Sequence, residues 1–85
     1  MCRVHCEVSE GLAPSEKLVR IPVHGGGIEE VSLDSSFVNQ DTVAVALIRR
    51  GDLYSLVELP RETATGKWRI WVPNSKIESG VEAPI

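Results

Sequence analysis

The stretch GKWRIWVPNSKIE, residues 66–78, decides the fold class predicted for this chain. Side chains of a β-strand alternate between two faces. One face of this strand is apolar: Trp68, Ile70 and Val72. The other is basic and aromatic: Lys67, Arg69 and Trp71. Pro73 lacks a backbone N–H donor and ends the strand, so 74–78 are predicted to form one turn and a short last strand. Alternation therefore predicts that Trp68 lies in the core and that Trp71 is partly exposed.

The sequence before this stretch also has the pattern of short strands separated by turns. Predicted strands are KLVRIPV (17–23), IEEVSL (28–33), TVAVALIRR (42–50) and LYSLVELP (53–60). Gly51 and Asp52 favour a tight hairpin turn. Asp34 is predicted to cap one helical turn, with Phe37 and Val38 holding that loop against the core. No segment keeps a 3.6-residue apolar period. The chain is therefore predicted to be all-β: a small single-domain antiparallel β-barrel or roll of five to six strands.

Three regions follow from this pattern. Residues 1–16, which include the turn-forming run SEGLAPSE, are predicted to be an irregular N-terminal segment. Residues 17–78 form the β-domain, and 79–85 form a C-terminal tail. Within the domain, 42–50 carry apolar side chains on both faces, which predicts a central strand covered on both sides.

Residues 71–77, WVPNSKI, resemble the end of an SH3-type barrel. There a hairpin leads into an aliphatic-Pro segment, one 3₁₀ turn and a short closing strand. The resemblance covers the C-terminal third and implies an SH3-like barrel shape. Ser75 and Lys76 stand where that family has Asn and Tyr, and Leu53-Tyr54 supplies only one ring of its paired aromatics. These departures argue against recognition of proline-rich peptides, which requires an aromatic-lined groove.

Size and composition limit the classes of function. The chain has 85 residues, a hydrophobic fraction of 42% and a net charge of −3. It has no apolar run of the roughly 20 residues that a membrane helix needs and no apolar signal-peptide core. We therefore expect one cytoplasmic domain with no membrane association. Cys2 and Cys6 are expected to be reduced thiols there.

Cysteine and histidine residues form the candidate metal site. Cys2, His5 and Cys6 lie close together in sequence, with His24 further on. Thiolates and imidazoles are zinc ligands, but the order C-x-x-H-C matches no standard zinc knuckle. The alternative is that these residues are incidental, and we expect no cofactor.

The glycine-rich run HGGG, residues 24–27, is the other candidate for chemistry. Such a loop binds phosphate where it opens a helix, but here it joins two strands and has no Lys. His24 paired with a Ser or Cys nucleophile lacks a third group and an oxyanion hole. The sequence therefore contains no complete catalytic or cofactor motif, and we expect that the protein is not an enzyme.

Charge is unevenly distributed. Residues 1–48 hold three basic and seven acidic side chains, net −4, whereas 49–76 hold six basic and three acidic, net +3. We predict partner contact through Trp71, Arg69, Lys67, Tyr54 and Arg49. The first hypothesis is a protein-protein interaction module or accessory subunit, including self-association as a homodimer. The first alternative is a nucleic-acid-binding β-barrel that uses the basic 49–76 face. The competing interpretation is a solvated hairpin in which Arg and Lys side chains pair with Glu58 or Glu62 across strands. The second alternative is the N-terminal Cys/His metal site.

Overall fold

Short antiparallel strands make up most of the protein. The structure, a computed structural model, describes residues 2–78, so the predicted tail at 79–85 lies outside the described residues. The described strands are β1 (Cys2–His5), β2 (Glu7–Glu10), β3 (Glu16–Pro22), β4 (Ile28–Asp34), β5 (Val38–Asn39), β6 (Thr42–Arg50), β7 (Tyr54–Glu58), β8 (Arg69–Pro73) and β9 (Ile77–Glu78). Two single 3₁₀ turns span Ser35–Phe37 and Asn74–Lys76. Over this described range, no helix is long and apolar enough to cross a membrane.

The larger sheet has the strand order β8-β7-β6-β1-β9, and β5 pairs with the beginning of β6. The first half of β6 pairs with β1, from Thr42 to Val45. Its second half pairs with β7, with an irregularity in register between Leu47 and Arg49. The predicted central position of this strand is confirmed. The predicted cover on both faces is wrong, because Ala46, Leu47 and Ile48 are exposed.

The smaller sheet has the order β2-β3-β4. Its inward side chains pack against those of the larger sheet, so the core lies between two antiparallel sheets. Alternate side chains of β3 and β4 are buried: Val19, Ile21, Val31 and Leu33. Two backbone hydrogen bonds connect the sheets: Cys6 N–H donates to Asp41 O (2.8 Å), and His24 N–H donates to Trp71 O (2.9 Å).

Residues 2–10 differ from the prediction of an irregular segment. They form β1, which pairs with strands distant in sequence, and β2, which pairs with the next strand, β3. Arg3 of β1 lies opposite Ala44 on one side and Glu78 on the other. Val8 of β2 lies opposite Val19. Of the turn-forming run SEGLAPSE, only residues 11–15 form the connection from β2 to β3; Ser9 and Glu10 belong to β2, and Glu16 belongs to β3.

The first 3₁₀ turn is capped as predicted. The Asp34 carboxylate accepts a hydrogen bond from the Ser36 backbone N–H at 3.0 Å, which satisfies a donor at the start of the turn. Val38 packs against the core as expected. Phe37 does not: it is classed among the exposed large apolar side chains, so the prediction that it holds this loop against the core is wrong.

The burial of the two tryptophans agrees with the sequence prediction for Trp71 but not for Trp68. Ile70 and Val72 are buried and Trp71 is 40% exposed, as alternation predicts, but Trp68 is 49% exposed instead of buried. The ladder between β7 and β8 ends at the pair of Glu58 and Arg69. Trp68 therefore precedes the strand, and the alternation of the ladder no longer determines where its side chain lies.

Candidate interaction site around Trp71

Two shallow clefts meet at Trp71 and His24, and together they are called the Trp71 site. The aromatic cleft has a volume of about 430 Å³ and is lined by His24, Asp52, Leu53, Tyr54 and Trp71. The charged cleft has a volume of about 170 Å³ and is lined by Val23, His24, Glu29, Lys67, Arg69, Ile70 and Trp71. Trp71 is thus the wall between an aromatic surface and a charged one.

Regular backbone structure positions the rings of the aromatic cleft. Trp71 lies in the middle of β8, opposite Leu56 of β7, with its side chain on the outer face of the larger sheet. Its carbonyl accepts the hydrogen bond from His24, which brings the end of the smaller sheet beside it. The His24 ring meets Tyr54 edge to face, with 4.3 Å between centroids and 80° between planes. Aromatic rings favour this geometry over a face-to-face stack.

The loop that forms the opposite rim is held by Asn74. The Asn74 side-chain amide donates hydrogen bonds to the carbonyls of Gly51 and Asp52, each at 3.0 Å. Its Oδ1 accepts the hydroxyl hydrogen bond of Ser55 at 2.6 Å. Its backbone N–H donates to Leu53 O at 2.9 Å. Leu53, which is 74% exposed, is therefore presented to solvent on a fixed loop.

The charged cleft is built around Glu29. This carboxylate is buried, with a residue exposure of 8%. It accepts a hydrogen bond from the Thr65 hydroxyl at 2.8 Å and lies 3.6 Å from Lys67 Nζ. The hydrogen bond from Thr65, followed by contributions from Thr63 and from the Lys67 charge, holds the pKa of Glu29 below its usual value. Glu29 thereby anchors the 60–67 loop on β4.

Two residues of the predicted basic face, Lys67 and Arg69, are paired with carboxylates within the chain. Lys67 pairs with Glu29, and Arg69 Nη2 lies 3.6 Å from Glu58 on the neighbouring strand. The Arg69–Glu58 pair confirms one of the cross-strand pairs that the solvated-hairpin interpretation predicted. Lys67 and Arg69 thus offer less uncompensated positive charge than the sequence count indicated, which does not favour nucleic-acid binding.

The structure brings together four of the five predicted contact residues. Tyr54 and Trp71 line the aromatic cleft, and Lys67 and Arg69 line the charged cleft. Arg49 lines neither: it lies opposite Leu56, which in turn lies opposite Trp71. Two strand spacings place its backbone roughly 10 Å from that of Trp71.

Sequence reasoning missed His24, Asp52 and Leu53 as residues of this site. It considered His24 only for metal or nucleophile chemistry, and it counted a single ring beside Leu53. The fold adds the rings of Trp71 and His24 to the same cleft. A large apolar Leu53 directly after the Gly51 turn was the one local signal of a surface contact.

The four candidate metal ligands are not all brought together: His5 and Cys6 line one cleft, whereas Cys2 and His24 lie elsewhere. Cys2 is in the core, His5 lies on the opposite face of β1 from it, and His24 belongs to the Trp71 site. The Cys6 thiol donates to Asp41 O at 3.6 Å, and burial raises its pKa to about 11. Across residues 2–78, no three His, Cys, Asp or Glu side chains are arranged to hold a metal ion.

Comparisons of the chain with protein-family models, curated proteins and solved structures returned no match.

Proposed function

We propose that this chain is a non-enzymatic interaction module or accessory subunit that binds a protein through the Trp71 site. The bound protein is a different chain or a second copy of this one. The observation that carries the proposal is the position of Trp71: 40% exposed, between two clefts, and beside Arg69. Exposed tryptophans flanked by arginine are enriched at the energetic centres of protein interfaces.

The rigidity of the surroundings supports a binding role. Trp71 lies within a ladder strand, and its carbonyl is hydrogen-bonded to His24. Leu53 is held in place by Asn74. A preformed apolar surface loses little conformational entropy when it binds, so a larger part of its contact energy appears as affinity.

We also propose that the two sheets form an SH3-like β-barrel. Three observations support this. The long strand β6 passes from pairing with β1 to pairing with β7. The His24–Trp71 hydrogen bond joins β8 to the end of the smaller sheet. The 3₁₀ turn after Pro73 leads into the short strand β9, as the resemblance implied. An experimental structure in which β8 is separated from the end of the smaller sheet, without the His24–Trp71 hydrogen bond, would contradict the barrel.

The chain supplies a matched pair of substitutions to test the binding role. Trp71→Ala removes an exposed tryptophan from the site, and Trp68→Ala removes an exposed tryptophan that lines neither cleft. We expect Trp71→Ala to reduce association with the protein that co-purifies at native expression, or with a second copy, by at least about tenfold. Trp68→Ala should retain it.

Two measurements make the comparison decisive. Quantitative mass spectrometry of cross-linked complexes measures partner recovery, and light scattering after size-exclusion chromatography measures self-association. Circular dichroism and thermal unfolding establish that both variants are folded. Equal association by folded Trp71→Ala and Trp68→Ala would overturn the proposed role of this site.

A further inference from the structure

Among residues 2–78, the second half of β6, residues 46–50, has one strand neighbour and one open edge; it is called the β6 edge. In the larger sheet, β7 and β1 lie on opposite sides of β6. Pairing with β1 ends at Val45, whereas pairing with β7 runs from Ala46 to Arg50. Within residues 2–78, no strand pairs with the β1 side of the β6 edge. An open edge presents unpaired N–H and C=O groups to an incoming strand.

The β6 edge combines exposed apolar side chains with two exposed arginines, Arg49 and Arg50. Leu47 and Ile48 are 37% and 39% exposed. Two outer strands of the smaller sheet, β2 and β4, carry features that discourage pairing. β2 carries exposed Glu7 and Glu10, and the backbone of β4 is covered where Ala64 N–H donates to Glu30 O at 2.8 Å. Proteins usually place charges, Pro or a covering segment on the outer strands of a sheet, because these features prevent unwanted pairing with other chains.

Uncompensated positive charge lies at the same place. Six of the nine Lys and Arg side chains have an ion pair or hydrogen bond within the described chain: Arg3, Lys17, Arg20, Arg61, Lys67 and Arg69. Arg49 and Arg50 are exposed, and among the described residues no carboxylate forms an ion pair with either of them. Their guanidinium groups are available to carboxylates of another molecule.

We propose that the β6 edge binds an extended acidic segment of a partner protein by strand addition. Backbone hydrogen bonds to residues 46–50 supply affinity, and Leu47 and Ile48 contact apolar side chains of the incoming strand. Arg49 and Arg50 pair with its carboxylates. This surface is separate from the Trp71 site, so it goes beyond the function proposed above and either one can fail without the other.

Charge argues against a second copy of this chain as the occupant. Antiparallel pairing of two β6 edges would bring four arginines into one interface, where like charges repel. The acidic edge strand β2 of another copy is a poor substitute, because Glu7 and Glu10 already pair with Arg20 and Lys17. A carboxylate-rich strand from a different protein meets neither difficulty.

The test uses the full chain and a capped synthetic peptide of about eight residues in which Glu alternates with Val, long enough to span the edge. NMR follows the backbone amides. We expect shifts confined to residues 46–50 and amide exchange slowed by about tenfold or more at the open edge. Two control peptides should not bind: one with Lys in place of Glu, and one with N-methylated backbone amides, which keeps the side chains and loses the donors.

Protein variants separate this surface from its alternatives. Arg49→Glu combined with Arg50→Glu should weaken peptide binding at least about tenfold, while Lys76→Glu, a change of equal sign at another exposed base, should have a small effect. Trp71→Ala should bind the peptide like the wild type.

Several results would overturn the proposal. These are absence of binding, equal binding of either control peptide, or shifts centred on the Trp71 site. Binding that appears only after deletion of 79–85 would assign the edge to the chain's own tail. Self-association that is lost in the double arginine variant would assign it to a second copy.

Discussion

Replacement of Asn74 by Ala tests how the rim of the Trp71 site is held. The substitution removes three side-chain hydrogen bonds, to Gly51, Asp52 and Ser55. Each hydrogen bond contributes about 0.5–1.5 kcal/mol to the free energy of unfolding. The bonds to Gly51 and Ser55 are partly buried, whereas the exposed bond to Asp52 contributes an amount near the low end of that range. The Ser55 side chain is completely buried, so its hydroxyl loses its acceptor without access to bulk water. We expect a loss of about 2–3 kcal/mol in the free energy of unfolding.

Urea unfolding followed by tryptophan fluorescence measures this loss. A domain of this length has a total stability of roughly 4–13 kcal/mol, so the expected change is a large fraction of it. The melting temperature should fall by about 10–20 °C. Amide exchange at 51–53 should accelerate more than exchange at the paired residues of β3, because the rim loses its anchor first.

Two further variants decide whether the reasoning is correct. Asn39→Ala removes an exposed amide whose side chain makes no hydrogen bond within residues 2–78, and it should change stability by less than about 0.5 kcal/mol. In the double variant Asn74→Ala with Ser55→Ala, the total loss should be smaller than the sum of the single losses, because the orphaned hydroxyl is removed. If Asn74→Ala is as stable as Asn39→Ala, the assignment of Asn74 as the anchor of the rim is refuted.

Two other predictions concern titratable groups. The pKa of Glu29 is lowered in the folded state, so its charged form contributes stability above the ordinary Glu pKa near 4.5 that is lost as the pH falls through the lowered value. Glu29→Gln should therefore flatten the acid limb of a plot of unfolding free energy against pH, whereas Glu62→Gln, at an exposed carboxylate, should leave it unchanged. Cys6, with a pKa of about 11 against an ordinary 9.0, should be alkylated at pH 8 about 100-fold more slowly in the folded protein than in urea, because only the thiolate reacts. Equal rates at Cys6, measured by peptide mapping, would contradict its burial.

Local sequence rules predicted the parts of the fold that local interactions determine. Alternation placed Ile70 and Val72 in the core because both lie inside a ladder. The cap at Asp34 and the turn after Pro73 depend on side chains within two or three residues, and both were predictable.

The errors occur where distant residues decide the structure. Alternation predicts which face of a strand each side chain lies on, but it does not predict the residue at which the strand begins. Trp68 was therefore predicted to lie inside a strand that in fact begins at Arg69. The strand at Cys2–His5 has no decisive local pattern, since its partners begin about 40 residues further along the chain. The candidate site shows the same contrast between residues that local sequence places and residues that distant pairing places. Trp71 was predictable from its neighbours, whereas His24 reaches it only through pairing between the two sheets.

The position of β1 between β6 and β9 has a consequence for how the protein folds. Arg3 is paired with Ala44 and with Glu78, so the third and the seventy-eighth residues of this chain lie directly opposite each other in one sheet. Before these strands can pair, the chain must close long loops, which costs conformational entropy. We therefore expect folding to be slow, in the millisecond-to-second range typical of β-proteins. A nascent chain still held in the ribosome beyond residue 70 would lack the strand that completes β1. We therefore expect the domain to fold after its synthesis, in one cooperative step.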